Sequence, residues 1–245
     1  MSMRSLMFVA LLSACGPAIG VTADELIARH IEARGGSENM KGIQSLQFTG
    51  KLVVTGEFTA EFAMTRSIRR PDRVRTEATL QGMTSVRAWD GHDGWAISPL
   101  FGRKDPERIS RDDSKELIEI ADIDGPLVDS ASKGNRIEYL GTEDVEGTEA
   151  HKLRVTGKDG DVQYVYLDPD YFLVIRVIQQ RLVRGAQVET ETEFGNYEKV
   201  DGVYFPFSIE SGPKGGAKTG QITIDKAQAN IDLGDALFQF PGAAK

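Results

Sequence analysis

Three histidines, one cysteine and a scatter of carboxylates are the side chains with which this 245-residue sequence could do chemistry, and their spacing assigns them little. His30 falls in a helical pattern, His92 in a turn and His151 in a strand pattern, so no two have the spacing of metal ligands. Serine catalysis of the hydrolase type needs a strained strand-to-helix elbow, and no Gly-x-Ser-x-Gly occurs. The segment Gly212-Pro213-Lys214-Gly215-Gly216-Ala217-Lys218-Thr219 approaches a phosphate-binding loop. Ala217 stands where the second glycine belongs, however, and a strand pattern, Gln221-Ile222-Thr223-Ile224, follows where the chemistry requires a helix N-terminus. Asp122, Asp124 and Asp129 lack the ligand rhythm of a calcium loop, because Ile123, Gly125 and Pro126 intervene. Glu189, Glu191 and Glu193 alternate along one strand, which marks a solvated face and gives none of them an acid or base role. No catalytic residue, metal or cofactor is expected.

The elements that would position any site are mostly β. Phe58, Ala60, Phe62 and Met64 alternate with Glu57, Thr59, Glu61 and Ala63; Val203, Phe205, Phe207 and Ile209 alternate with Tyr204, Pro206, Ser208 and Glu210. Period-two patterning sends one set of side chains to a buried face and the other to water. Repeated along a chain with few helices, it implies a large curved antiparallel sheet with an apolar concave side. If these registers hold, Phe58, Phe62, Met64, Val86, Trp95, Tyr164, Tyr166, Phe205, Phe207 and Ile222 line that side. The filler is either the protein's own helices or a hydrophobic ligand.

Helices are expected at Asp24–Arg34, closed by Gly35-Gly36, at Ser37–Gly42, and at Ser110–Asp122, with a last helical turn at Asp232–Ala236. The third has a Ser110 cap and an apolar stripe of Leu117, Ile118, Ile120 and Ala121. Short and flanked by breakers, it is suited to be a movable lid. No linker or repeat divides the chain, so residues 24–245 are expected to form a single domain.

Residues 1–23 read as an export signal: Arg4, an apolar core from Leu6 to Leu12, breakers at Pro17 and Gly20, and small residues at Val21-Thr22-Ala23. The same stretch contains Leu12-Ser13-Ala14-Cys15, which matches a bacterial lipobox with the only cysteine at the acylated position. Both readings place the protein in the cell envelope, as a periplasmic protein or as one anchored by lipidation of Cys15. One cysteine excludes an internal disulfide, so stability rests on core burial. A net charge of −8, without a basic block, argues against nucleic acid. The local cluster Arg66, Arg69, Arg70, Arg73 and Arg75 reads as a solvated strand face. A monomer is expected.

Several phrases in order resemble the bacterial outer-membrane lipoprotein-sorting proteins, related to the LolA/LolB carrier fold. They are Ala33-Arg34-Gly35-Gly36, Arg70-Pro71-Asp72-Arg73-Val74-Arg75, Trp89-Asp90-Gly91 leading to Gly94-Trp95, and Asp122-Ile123-Asp124-Gly125-Pro126-Leu127. Gly202-Val203-Tyr204-Phe205-Pro206 and Phe238-Gln239-Phe240-Pro241 complete the set. The resemblance implies a mainly β (α+β) fold, an incompletely closed antiparallel barrel of about ten or eleven strands with helices plugging or lidding the concave face. It implies a non-enzymatic carrier or acceptor of the acyl chains of lipoproteins or lipids, with envelope transport proteins as partners. It also implies an arginine in the cavity that locks the lid; Arg75 is the first candidate and Arg66 the second, with Leu117 and Ile120 on the lid. An acylated Cys15 would make the protein a membrane-anchored acceptor rather than a shuttle. The alternative is an envelope sensor or interaction module whose sheet is filled by its own helices, with loops such as Gly212–Gly220 meeting a partner.

Overall fold

A computed structural model describes residues 20–183 and 185–242. Cys15, the lipobox and most of the expected signal segment lie outside the described residues. Helix α1 (Ala23–Ala33) starts where the Thr22 hydroxyl accepts the Glu25 amide at 3.2 Å and Asp24 and Glu25 supply negative charge to the first turn. Arg34-Gly35-Gly36 stops it, both glycines having positive φ. Helix α2 (Ser37–Gly42) follows.

Six strands then run in meander order: β1 (Ser45–Thr55), β2 (Thr59–Arg69), β3 (Arg73–Leu80), β4 (Met83–Trp89), β5 (Gly94–Ser98) and β6 (Arg103–Ile109). Helix α3 (Arg111–Ala121) begins at Ser110, whose hydroxyl accepts the Asp113 amide at 3.1 Å, and a single turn, α4 (Ser130–Lys133), follows. The second meander is β7 (Arg136–Val145), β8 (Thr148–Thr156), β9 (Val162–Leu167), β10 (Val174–Val183), β11 (Ala186–Val200), β12 (Val203–Pro213) and β13 (Gly220–Ala229). A 3-10 turn at Asp235–Leu237 stands where the last helical turn was expected.

All thirteen strands form one antiparallel sheet, in which each meander keeps its sequence order and β1 pairs with β13 to join the two halves. β6 and β7 are the free edges, so the sheet is open between them. The count exceeds the expected ten or eleven. β6 is Arg103-Lys104-Asp105-Pro106-Glu107-Arg108-Ile109, a charged run with a proline that carries no apolar alternation; an edge strand tolerates both.

The sheet is covered on both faces. On the inner face, α2 and α3 put Met40, Leu117 and Ala121 against Leu46, Phe48, Met64, Ile68, Val74, Trp89, Val203, Phe205, Phe207 and Ile224. Helix α1 covers the second half, where Leu26 and Leu127 pack on Leu153, Val155, Val165 and Leu167. On the outer face the C-terminal tail forms a strap. Trp95 donates its indole N–H to the Phe238 carbonyl at 2.7 Å, and the Phe240 ring meets Trp95 edge-on at 6.4 Å.

Candidate functional site

The phrases that carry the family resemblance turn out to be contact partners. Arg34 donates to the carbonyls of Asp124 (2.7 Å) and Ile123 (3.2 Å) and lies over the Phe205 ring. Arg70 takes both oxygens of Asp124 at 2.6 Å and the carbonyls of Ile43 and Met40. The Arg34 carbonyl accepts the Tyr204 amide at 2.8 Å, and a Cβ on Gly35 would come within 2.1 Å of the Gly202 oxygen. Arg73 donates to the Asp90 carbonyl at 3.2 Å. These residues stitch the turns at one end of the sheet to the segment leaving α3. Burial alone would raise the Asp124 pKa, but the Arg70 hydrogen bonds and charge outweigh it and hold the carboxyl below its usual range.

Helix α3 bridges the two halves of the sheet across its inner face. Its underside seats Leu117 and Ala121 in the core, with Ile118 and Ile120 partly buried. Its polar side reaches both halves of the sheet. Glu116 binds Arg87 on β4 at 2.7 Å, while Glu119, one turn on, accepts from Gln179 (2.6 Å), Gln163 (3.3 Å) and Arg181 on β9 and β10. Lys115 adds a bond to Asp161 at 2.7 Å. Burial raises the Glu119 pKa, outweighing the pull of Arg181.

Beside α3 the inner face is less covered. Phe194 pairs with Ile209, Ile209 with Ile222, Ile222 with Leu52, and Leu52 with Phe62. Five apolar side chains therefore form one straight row across β11, β12, β13, β1 and β2, each half-buried. Four strand spacings make the row about 19 Å long. Its β2 end leads inward past Met64 to Arg66, whose Nε is sealed from solvent and finds no hydrogen-bond partner among the described residues.

Of the expected lining residues, Phe62, Met64, Phe205, Phe207 and Ile222 are on this inner face. Phe62 and Ile222 belong to the half-buried row, the other three to the filled core. The rest of the expected lining is corrected. Phe58 precedes β2 in a hairpin and is 81% exposed. Val86 and Trp95 face outward beneath the C-terminal strap, and Tyr164 and Tyr166 face outward in a separate cluster with Val145 and Ile178. Arg75 also points outward: it lies over Trp95, binds Glu77 at 2.6 Å and donates to the Leu237 carbonyl at 3.1 Å. Phe58 shares the phase of Phe62 but lies in the turn, beyond the paired strands; for the others the physical reason is the same. Alternation identifies two faces without saying which is inner, and this sheet buries apolar side chains on both. Arg66 is on the inner face near α3, Leu117 is buried beneath that helix and Ile120 partly so.

Sequence reasoning missed Leu52, Ile209 and Phe194 as one row, and Arg87 and Arg181 as the cations that clasp α3. The break in Glu189-Thr190-Glu191-Thr192-Glu193-Phe194 was the available signal for Phe194, since the even positions turn from threonine to a large apolar ring. The three glutamates are less solvated than expected: Glu191 is buried, Lys218 binds both it and Glu193, and Lys214 binds Glu189. Among the described residues no group of three or more histidine, cysteine, aspartate or glutamate side chains could hold a metal, and no helix is long and apolar enough to cross a membrane.

No protein-family model and no curated protein matches the sequence. Solved structures do match. The chain aligns over 90% of its length with 98% of a LolA superfamily protein of Nitrosomonas europaea, at TM-score 0.62 and 15% identity. It aligns over 89% with 97% of a DUF1329 family protein of Desulfovibrio piger, at TM-score 0.61 and 14% identity. An outer membrane lipoprotein-sorting protein domain of Vibrio parahaemolyticus aligns over 95% of its length with 89% of this chain, at TM-score 0.60 and 16% identity. At these identities the likeness is one of architecture, and it extends over nearly all the described chain. The fold is the one these three structures share: an open antiparallel half-barrel with helices on its inner face.

Proposed function

We propose that the protein is a non-enzymatic carrier or acceptor of acyl chains, from lipoproteins or lipids, working in the periplasm. The observation that carries this reading is the half-buried row Phe194–Ile209–Ile222–Leu52–Phe62, an apolar band of acyl-chain length beside a helix that bridges the two halves of the sheet. Each methylene moved from water onto such a band contributes about 0.8 kcal/mol, so a hydrocarbon tail needs no charged site for affinity. Fully burying a leucine such as Leu117 is worth about 1.5–3 kcal/mol, the equivalent of two to four methylenes, so a tail sliding under α3 offsets the displacement of that side chain. The names of the structural neighbours from Vibrio and Nitrosomonas fit lipoprotein handling in the envelope. Acylation of Cys15 would make the protein an anchored acceptor; its removal with the signal segment would make it a shuttle.

Native mass spectrometry of protein purified from a bacterial envelope, followed by lipid extraction, tests the reading. Co-purifying acyl lipid is the expected result, and protein that remains empty under gentle extraction contradicts it. One observation favours the second reading, a self-filled interaction module: Met40, Leu117 and Ala121 already occupy the deep inner face. Such a module shows no saturable binding in a titration with a fluorescent fatty acid.

A further inference from the structure

The inner face beneath α3 holds more positive than negative charge. Three guanidinium groups face the helix there, Arg66 on β2, Arg87 on β4 and Arg181 on β10. Two carboxylates face them, and both are taken: Glu116 by Arg87 and Glu119 by Arg181. Arg66 has neither a hydrogen bond nor a salt bridge among the described residues; Glu116 influences it only through its field.

Its surroundings are also short of partners. Arg66 pairs across β3 with Thr76, which pairs with Arg87; one step toward Phe62, Met64 pairs with Ala78, which pairs with Ser85. The Thr76 and Ser85 hydroxyls, buried on this same face, have no hydrogen-bond partner among the described residues either. Arg66 is part-buried, with its Nε sealed from water, and an N–H and two hydroxyls held out of water without partners are costly. Such groups are tolerated where something else supplies the missing oxygen atoms.

We infer that Arg66, Thr76 and Ser85 bind the anionic head, a carboxylate or a phosphate, of an amphiphile whose tail lies along the row from Phe62 to Phe194. This rests on the acyl-chain reading and adds the chemistry of the head. One guanidinium and two hydroxyls give donors enough for two oxygens of either head. In this arrangement Arg66 is a ligand-binding residue, and the clasping of α3 belongs to Arg87 and Arg181.

The probes are dodecanoate, dodecyl phosphate and the uncharged 1-dodecanol, each titrated into the purified full-length protein after delipidation. The anions are expected to bind at least tenfold more tightly than the alcohol; which anion binds better distinguishes a carboxylate source from a phosphate source. Arg66→Gln is expected to bring the anions down to the alcohol's affinity and leave the alcohol unchanged. Because Arg66 is unpaired without ligand, Arg66→Gln is also expected to raise the melting temperature of the delipidated protein, whereas a structural arginine would lower it on removal. A double variant, Thr76→Val with Ser85→Ala, supplies the same comparison with Arg66 in place and is expected to weaken only the anions. Equal wild-type affinity for anion and alcohol overturns the head site while leaving the tail site intact. Loss of alcohol binding in Arg66→Gln assigns Arg66 to the fold and equally overturns it. Failure of all three probes contradicts the acyl-chain reading instead.

Discussion

Arg34, Arg70 and Asp124 form a joint in which two guanidinium groups grip the backbone and side chain just after α3. Asp124 is only 12% exposed and Arg70 23%, so removing one partner leaves a largely buried charge unmatched. Asp124→Asn is expected to cost about 2–4 kcal/mol of stability. Arg87→Ala, which breaks a pair 43% and 57% exposed, is expected to cost under about 1 kcal/mol. Urea unfolding of the two variants measures both, and equal losses would show that the joint is not what holds this end of the sheet. His30 gives a pH signature. It is 3% exposed and donates its Nδ1–H to the Phe172 carbonyl at 2.8 Å; burial, with help from Arg34, pulls its pKa from 6.5 to about 4. The unfolded chain therefore binds a proton that the fold refuses between pH 6.5 and about 4. The stability this group contributes is complete above that window and is lost as pH falls through it, on the order of 3 kcal/mol. His30→Gln should flatten that part of the stability profile in denaturant titrations across the window. An unchanged slope would contradict the burial of a neutral imidazole.

At the scale of elements, α3 is the part whose attachment is divided. Its apolar underside belongs to the core, its end is held by the joint, and its polar side is held by ion pairs to β4 and β10 that water can replace. A helix held in this way can lift on its polar side while the joint keeps it in place, so ligand entry is expected to need movement of α3 away from β4. Cysteines at Arg87→Cys and Glu116→Cys, in protein otherwise free of cysteine through Cys15→Ser, allow a reducible bifunctional thiol reagent to tie the helix down. Uptake of a fluorescent fatty acid should slow at least tenfold in the tied protein and recover on reduction. Unchanged uptake would show that α3 is a fixed wall. This helix was legible in the sequence, down to its Ser110 cap, because capping and apolar spacing are local. Its clasps were not, because Arg87 and Arg181 lie on strands far from it in sequence and only the sheet brings them to it.

At the scale of the molecule, the antiparallel meander and the helices between its strands follow from alternation and turn residues, and the sequence carried them; the open edges were implied only by the resemblance to the lipoprotein-sorting proteins. The sequence did not carry the assignment of faces. Phe62 and Trp95 look alike as strand aromatics, yet one lies on the inner face and the other beneath the C-terminal strap, because Phe238 and Phe240 give the outer face a second apolar layer. The strand β6 was hidden for the opposite reason, being an edge without an apolar face. This difference between faces makes the account's central claim measurable, since the two natural tryptophans can be reduced to one reporter at a time. One protein keeps Trp95 alone, through Trp89→Phe; the other carries Phe62→Trp with Trp89→Phe and Trp95→Phe. Titration of each with a brominated fatty acid is expected to quench the indole at position 62 saturably and to leave Trp95 bright. Absence of saturable quenching at position 62, or equal quenching of both, would contradict an acyl chain lying on the inner face.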